Sequence, residues 1–195
     1  KKWIALMLCL FSALSFSACG NNNNQTDNTK GGKIKVSVTF NAMKEFVAAV
    51  GKDKVEISTI IPDGTEPHEF EPKAKDLAGL STANVFVYSG FGMEPWADDA
   101  IKAANNSKLI TVEASKGAEP ITNTDPEEIK EHGQYDPHIW ISIKGAEIEV
   151  KNIKDGLINA DPSNKDYYEK NCSDFISQLE ELYKEYDEKF KSVQK

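Results

Sequence analysis

Arginine is absent from this chain; lysine supplies all 23 basic residues, and 31 acidic residues outnumber them. The absence points to an AT-rich coding sequence and says nothing of mechanism. The charge balance says more: a formal net charge of −8 at pH 7 argues against nucleic acid as a partner. An acidic surface raises both solubility and the local concentration of cations, and charge alone does not separate these two roles. Common catalytic signatures are missing too. The chain has no HExxH helix, no Gly-x-Ser-x-Gly nucleophile turn and no phosphate-cradling loop. Thiols and imidazoles are scarce, at three cysteines and three histidines, so the placement of each is informative.

The opening KKWIALMLCLFSALSFSACG sets two lysines before an apolar stretch over residues 3–16 and a small-residue site ending at Cys19. The stretch is shorter than the roughly 20 residues of a membrane-spanning helix, and polar asparagines follow it. Residues 1–18 therefore read as an export signal that lies outside the fold. The tetrad Phe16-Ser17-Ala18-Cys19 resembles a lipobox, with Phe where Leu is usual. On that reading Cys19 is lipidated and anchors the protein to the extracytoplasmic face of the cell membrane; an ordinary secretory signal is the competing reading. Loss of Lys1 and Lys2 leaves 21 basic against 31 acidic residues, a net charge near −10. Cys9 leaves with the signal and Cys19 carries lipid, so Cys172 is the remaining thiol and an intramolecular disulfide is excluded. Cys172 reads as a half-buried helix position.

Residues 21–32 hold no apolar side chain, so nothing there offsets the entropy of ordering. Residues 19–32 are expected to form a lipidated tether, and the fold to begin near Lys33. A strand over 33–40 is expected from the alternation of Ile34, Val36, Val38 and Phe40, followed by a helix over 42–50 capped by Asn41 and ended by Gly51. Further strands are expected at 55–61, 84–88 and 109–112, with helices at 73–81 and 95–105; the run VFVY reads as buried on both faces. The alternation predicts an α/β lobe, residues 33–160, with a mostly parallel sheet flanked by helices. Residues 117–137, with three prolines and no period, read as a surface loop. After the short apolar segment 139–143, a helix is expected over 145–159. Residues 163–195 place Tyr168, Cys172, Phe175, Leu179, Leu182 and Tyr186 at steps of four and three. That is one stripe of a long helix, which reads as packing on a neighbouring domain rather than as a coiled coil.

Of the histidines, His68 lies in PDGTEPHEFEP, after a strand, and His138 in YDPHIWIS, after the acidic stretch. Each is preceded by proline, which stiffens the approach of the side chain. Loops at the carboxyl ends of parallel strands line a common crevice, so the two can converge although distant in sequence. Spacing alone does not single either out as a ligand. Nearby Asp63, Glu66, Glu69, Glu71 and Asp136 read as solvated loop acids, one of which can orient an imidazole. Trp96, Trp140 and Met93 read first as core residues.

The segments PDGTEPHEFEP, VFVYSGFGMEPW and YDPHIWIS, in this order, resemble the metal-binding solute-binding proteins of ABC importers that handle zinc and manganese. The resemblance runs from about Lys33 to the end of the chain. It implies that His68 and His138 are metal ligands, that zinc is the cargo with manganese as the alternative, and that an ABC permease is the partner. It implies two α/β lobes joined by a long helix, here residues 163–195, with the remaining ligands on a C-terminal lobe that this sequence does not contain. GMEPW and YDPHIWIS are closest to zinc-type members, and His132 stands where these carry a metal-recruiting loop, although a solvated loop histidine is the simpler reading. Two other classes stand beside this one: an adhesin or structural lipoprotein acting through the acidic face, and a metallohydrolase.

Overall fold

The computed structural model describes residues 32–193. Four strands form one sheet: β1 (Ile34–Val38), β2 (Val55–Thr59), β3 (Val85–Tyr88) and β4 (Ile110–Glu113), in the order β2-β1-β3-β4 with every pairing parallel. Parallel neighbours need crossovers, and the chain supplies them as helices: α1 (Asn41–Gly51), α2 (Ala74–Leu77) running into a 3-10 turn (Ala78–Ser81), and α3 (Ala97–Ala104). Beyond β4 come α4 (Pro126–His132), a 3-10 turn (Ile139–Ile141), α5 (Ile143–Ala160) and α6 (Lys165–Val193).

Side chains alternate across a strand, and β3 shows how this divides the core. Val85 and Val87 point into a cluster with Val36, Val38, Met43 and Ile153, whereas Phe86 faces a second cluster with Leu80, Ala97 and Ala100. Helices α1, α5 and α6 therefore pack on one face, and α2 and α3 cover the other. Burial on both faces explains the unbroken apolar run of β3.

The sequence expectations hold for all four strands and for the crossover helices to within a few residues. Two local expectations change. Asn41 does not cap α1; it is the helix's first residue, Phe40 occupies the cap position, and no side chain bonds there. Residues 117–137 contain α4, with Asp125 accepting from the Glu127 N–H at 2.8 Å and Pro126 in the first turn. Asp-Pro-Glu-Glu was the signal for that start. An antiparallel bridge between Thr122 and Tyr135 closes the excursion at its base.

Helix α6 begins inside the core. Tyr168 and Cys172 are buried, Asn171 Nδ2 donates to the carbonyl of Val50 at 2.9 Å, and Phe175 packs on Phe46. Burial pushes the Cys172 thiol pKa up, which suits a structural rather than a reactive role. Further along, Leu182, Tyr183, Tyr186 and Phe190 are exposed, so the stripe read from sequence runs from core to surface. Among the described residues no helix is long and apolar enough to cross a membrane.

One buried group sits uneasily in this core. Glu149, on α5, is fully buried, and neither carboxyl oxygen has a hydrogen-bond partner among the described residues. Desolvation, with a smaller contribution from Glu94, pushes its pKa from 4.5 to about 8. The folded form thus holds a proton that the unfolded chain releases above pH 4.5. A raised pKa of this kind gives stability that is fully present below pH 4.5 and is lost progressively as pH rises to about 8. Glu149→Gln keeps the shape without the titration. Urea unfolding from pH 5 upward is expected to show a flatter stability profile for the variant, with a gain of about 2 kcal/mol or more near pH 8.

Candidate metal site

The carboxyl ends of β1 and β3 meet where the strand order changes direction, the position at which open α/β sheets bind ligands. From β2 the chain continues the ladder, Ile60 N–H donating to Val38 O and Ile61 N–H to Thr39 O, both at 2.9 Å. It then enters the proline-rich segment that carries His68. A turn closed by Phe70 N–H to Pro67 O at 3.3 Å holds this residue, and Phe70 anchors the turn by packing on Trp96. The Glu66 carboxylate accepts the His68 main-chain N–H at 3.3 Å.

His138 is fixed more tightly. It is the apex of an inverse γ-turn, with φ −79 and ψ 50 and Ile139 N–H donating to Pro137 O at 2.8 Å. A single oxygen of Asp136 accepts both the His138 main-chain N–H, at 2.9 Å, and the ring Nδ1–H, at 2.7 Å. Backbone and ring are thus set by one atom. Because a carboxylate only accepts, this bond puts the imidazole proton on Nδ1 and leaves the Nε2 lone pair directed outward. Trp140 lies against the ring, 5.2 Å between centroids, and is itself backed by Phe40 at 4.8 Å.

The two imidazoles meet. His68 Nε2 lies 3.2 Å from His138 Nε2, although 70 residues separate them in the chain. With Nδ1 of His138 protonated, His68 donates in that contact. Two nitrogens bound to one tetrahedral zinc at about 2.0–2.1 Å stand roughly 3.3–3.4 Å apart, so the spacing of this pair matches that of two zinc ligands once the proton His68 donates is displaced. Asp136 then occupies the position of the carboxylate that orients a metal-bound histidine from behind. Beside His138 opens a cleft of about 470 Å³, lined by Ile121, Asp136, Ile139, Lys144 and Gly145 among others. Among the described residues, no group of three or more His, Cys, Asp or Glu is arranged to hold a metal ion.

Sequence reasoning missed Glu94, in the GMEPW segment. Its buried carboxylate accepts from Thr39 Oγ1 at 2.6 Å, Ser89 N–H at 2.9 Å and Gly90 N–H at 3.1 Å, tying the ends of β1 and β3 together. Desolvation raises its pKa despite these three bonds. The turn it holds needs glycine at residue 90, where φ is +97 and a Cβ would stand 2.7 Å from Glu113 and Ser115 side-chain atoms. Phe91, at its tip, packs against Tyr135, beside Asp136. The buried acid was legible only as one of many carboxylates. Met93 is core, Trp140 touches the site, and Trp96 is half-buried. Cys19 and the side chain of His132 lie outside the described residues.

A family model for the periplasmic component A of the zinc-uptake complex, ZnuA, matches residues 36–195. The chain belongs to the ZnuA family. Its relatives include the high-affinity zinc uptake system protein ZnuA of Bacillus subtilis, 37% identical over all of this chain and 64% of that protein. The manganese ABC transporter substrate-binding lipoprotein PsaA of Streptococcus anginosus is 33% identical over 99% of this chain and 62% of its own length. Among solved structures, the metal-dependent lipoprotein YcdH of Bacillus subtilis superposes with a TM-score of 0.70 at 39% identity, over 79% of this chain and 55% of that one. The ZnuA-family chain therefore spans less than two thirds of the relatives it matches.

Two substitutions test the geometry. Asp136→Asn should lower zinc affinity about 10–100-fold with the fold intact, measured by competition with a chromophoric chelator. Gly145→Ala places a Cβ 2.1 Å from the Ile139 carbonyl oxygen, forcing the turn after His138 away from α5. It should cost about 1–3 kcal/mol in urea unfolding and weaken zinc binding as well.

Proposed function

We propose that this chain is the metal-facing N-terminal part of an extracytoplasmic solute-binding protein that captures zinc and passes it to an ABC permease. The reading is carried by the 3.2 Å approach of two imidazole nitrogens with Asp136 behind one of them. Family membership supports it, since relatives are named for zinc and manganese uptake. His68 and His138 are the ligands, each through Nε2. Zinc is favoured over manganese because a nitrogen-rich pair suits it, manganese preferring harder oxygen ligands. His132, at the end of α4, is the proposed accessory residue for recruiting the ion.

Residues 33–160 form the metal-binding lobe in this proposal, and the helix of residues 163–195 leads to a second lobe that completes the coordination. The exposed apolar side chains Leu182, Tyr183, Tyr186 and Phe190 give that lobe a surface to cover. Cys19 carries the lipid that holds the protein at the outer face of the cell membrane. Release follows from a change of state on docking, because a ligand leaves a tight site only when another conformation binds it less well.

The decisive titration compares zinc and manganese on the 195-residue chain and on His68→Ala and His138→Ala. Each replacement should weaken zinc binding at least about tenfold, and manganese should bind less well than zinc throughout. Unchanged zinc affinity in both variants would refute the assignment.

A further inference from the structure

The turn after β3 is built on three successive residues with positive φ: Gly90 at +97, Phe91 at +50 and Gly92 at +85. Its foot is firmly held. Glu94 accepts the N–H groups of Ser89 and Gly90, Met93 N–H donates to Gly90 O at 3.1 Å, and the Met93 side chain is buried. Glycine adopts such a backbone freely, whereas phenylalanine in the left-handed region is strained, because its Cβ crowds the carbonyl that follows. Glycine at position 91 would suit this turn better, so the reason for an aromatic there lies outside it. The side chain reaches Tyr135, the two rings meeting edge to face at 6.3 Å and 65°.

Tyr135 is 42% exposed and stands at the base of the excursion over residues 117–137. It bridges Thr122, and the next N–H, that of Asp136, donates to Ile121 O at 2.8 Å. The ring pair thus joins a clamped turn of the sheet to a surface segment, one residue before the carboxylate that orients His138. We infer that Phe91 is a positioning residue: the strain it holds in the turn is offset by a contact that fixes the base of the excursion and, through it, the bond between Asp136 and His138. The inference rests on the reading of His138 as a zinc ligand. Backbone strain kept at one residue between two glycines marks a position shaped by that contact rather than by the stability of the turn. Removing the ring should therefore move stability and metal affinity in different directions, since glycine relieves the strain and abolishes the contact.

The experiment compares Phe91→Gly, Phe91→Tyr, Tyr135→Ala and the F91G/Y135A double variant of the 195-residue chain in urea unfolding and in zinc competition with a chromophoric chelator. F91G should unfold at the same urea concentration as the parent or a higher one, yet bind zinc about two- to tenfold more weakly, the range of one aromatic pair. F91Y keeps the ring and should bind as the parent does. F91G/Y135A should be no weaker than Y135A alone, as expected when both changes remove one interaction. Without metal, amide hydrogen exchange at Asn123 and Asp136, whose N–H groups close the excursion at 2.9 and 2.8 Å, should quicken in F91G while the β3 amides keep the parent's rate. A parallel fall of stability and affinity in F91G would overturn the inference, and so would additive losses in the double variant or unchanged exchange at both amides. His138→Ala separates the two claims. If it weakens zinc binding and F91G does not, the positioning role fails alone; if it binds zinc as tightly as the parent, the metal reading fails and the inference with it.

Discussion

One carboxylate oxygen governs the candidate site. By accepting both the main-chain and the ring N–H of His138, Asp136 removes two freedoms at once: the turn around residue 138 and the tautomer of its imidazole. A histidine whose proton is held on Nδ1 has no choice but to present Nε2. Without that constraint the 3.2 Å approach to His68 would be one arrangement among several; with it, the His138 Nε2 lone pair is aimed at His68.

The rest of the lobe keeps this small geometry in place. Parallel pairing brings the ends of β1 and β3 side by side, and Glu94 fastens them through Thr39, Ser89 and Gly90. From that junction two aromatic paths lead toward the site, Phe40 to Trp140 to His138 on one side and Phe91 to Tyr135 on the other. Gly145 lets the first turn of α5 close on the carbonyl of Ile139. Core packing is thereby converted into the position of two nitrogens. Burying the Glu94 carboxylate, and leaving that of Glu149 without partners, costs stability that the apolar clusters on both faces of the sheet offset.

The elements with a strong period were legible in the sequence. The alternation of Ile34, Val36 and Val38 and the run VFVY gave strands, and the stripe through Tyr168 and Cys172 gave the long helix. Shorter signals were harder to weigh. Helix α4 was hidden because three prolines in 117–137 outweighed Asp125 and Pro126, which in fact start it. Asn41 offered cap chemistry that the backbone did not use, since the extended conformation falls on Phe40. The two histidines stood out through their motifs, but their meeting is a product of the sheet, and no local pattern encodes a contact across 70 residues. For the same reason Glu94 went unremarked, and Asp136 stood as one of several loop acids able to orient an imidazole: a carboxylate that clamps a turn and one that is solvated look alike until their donors are known.

Relatives named for zinc and for manganese align over this lobe. Whether the histidine pair is held ready before metal arrives is accessible by long-range proton–nitrogen correlation of the histidine rings during a zinc titration. The account predicts a metal-free His138 with its proton on Nδ1, and a zinc-dependent shift of Nε2 in both His68 and His138. A metal-free His138 protonated on Nε2, or a shift confined to one ring, would contradict it.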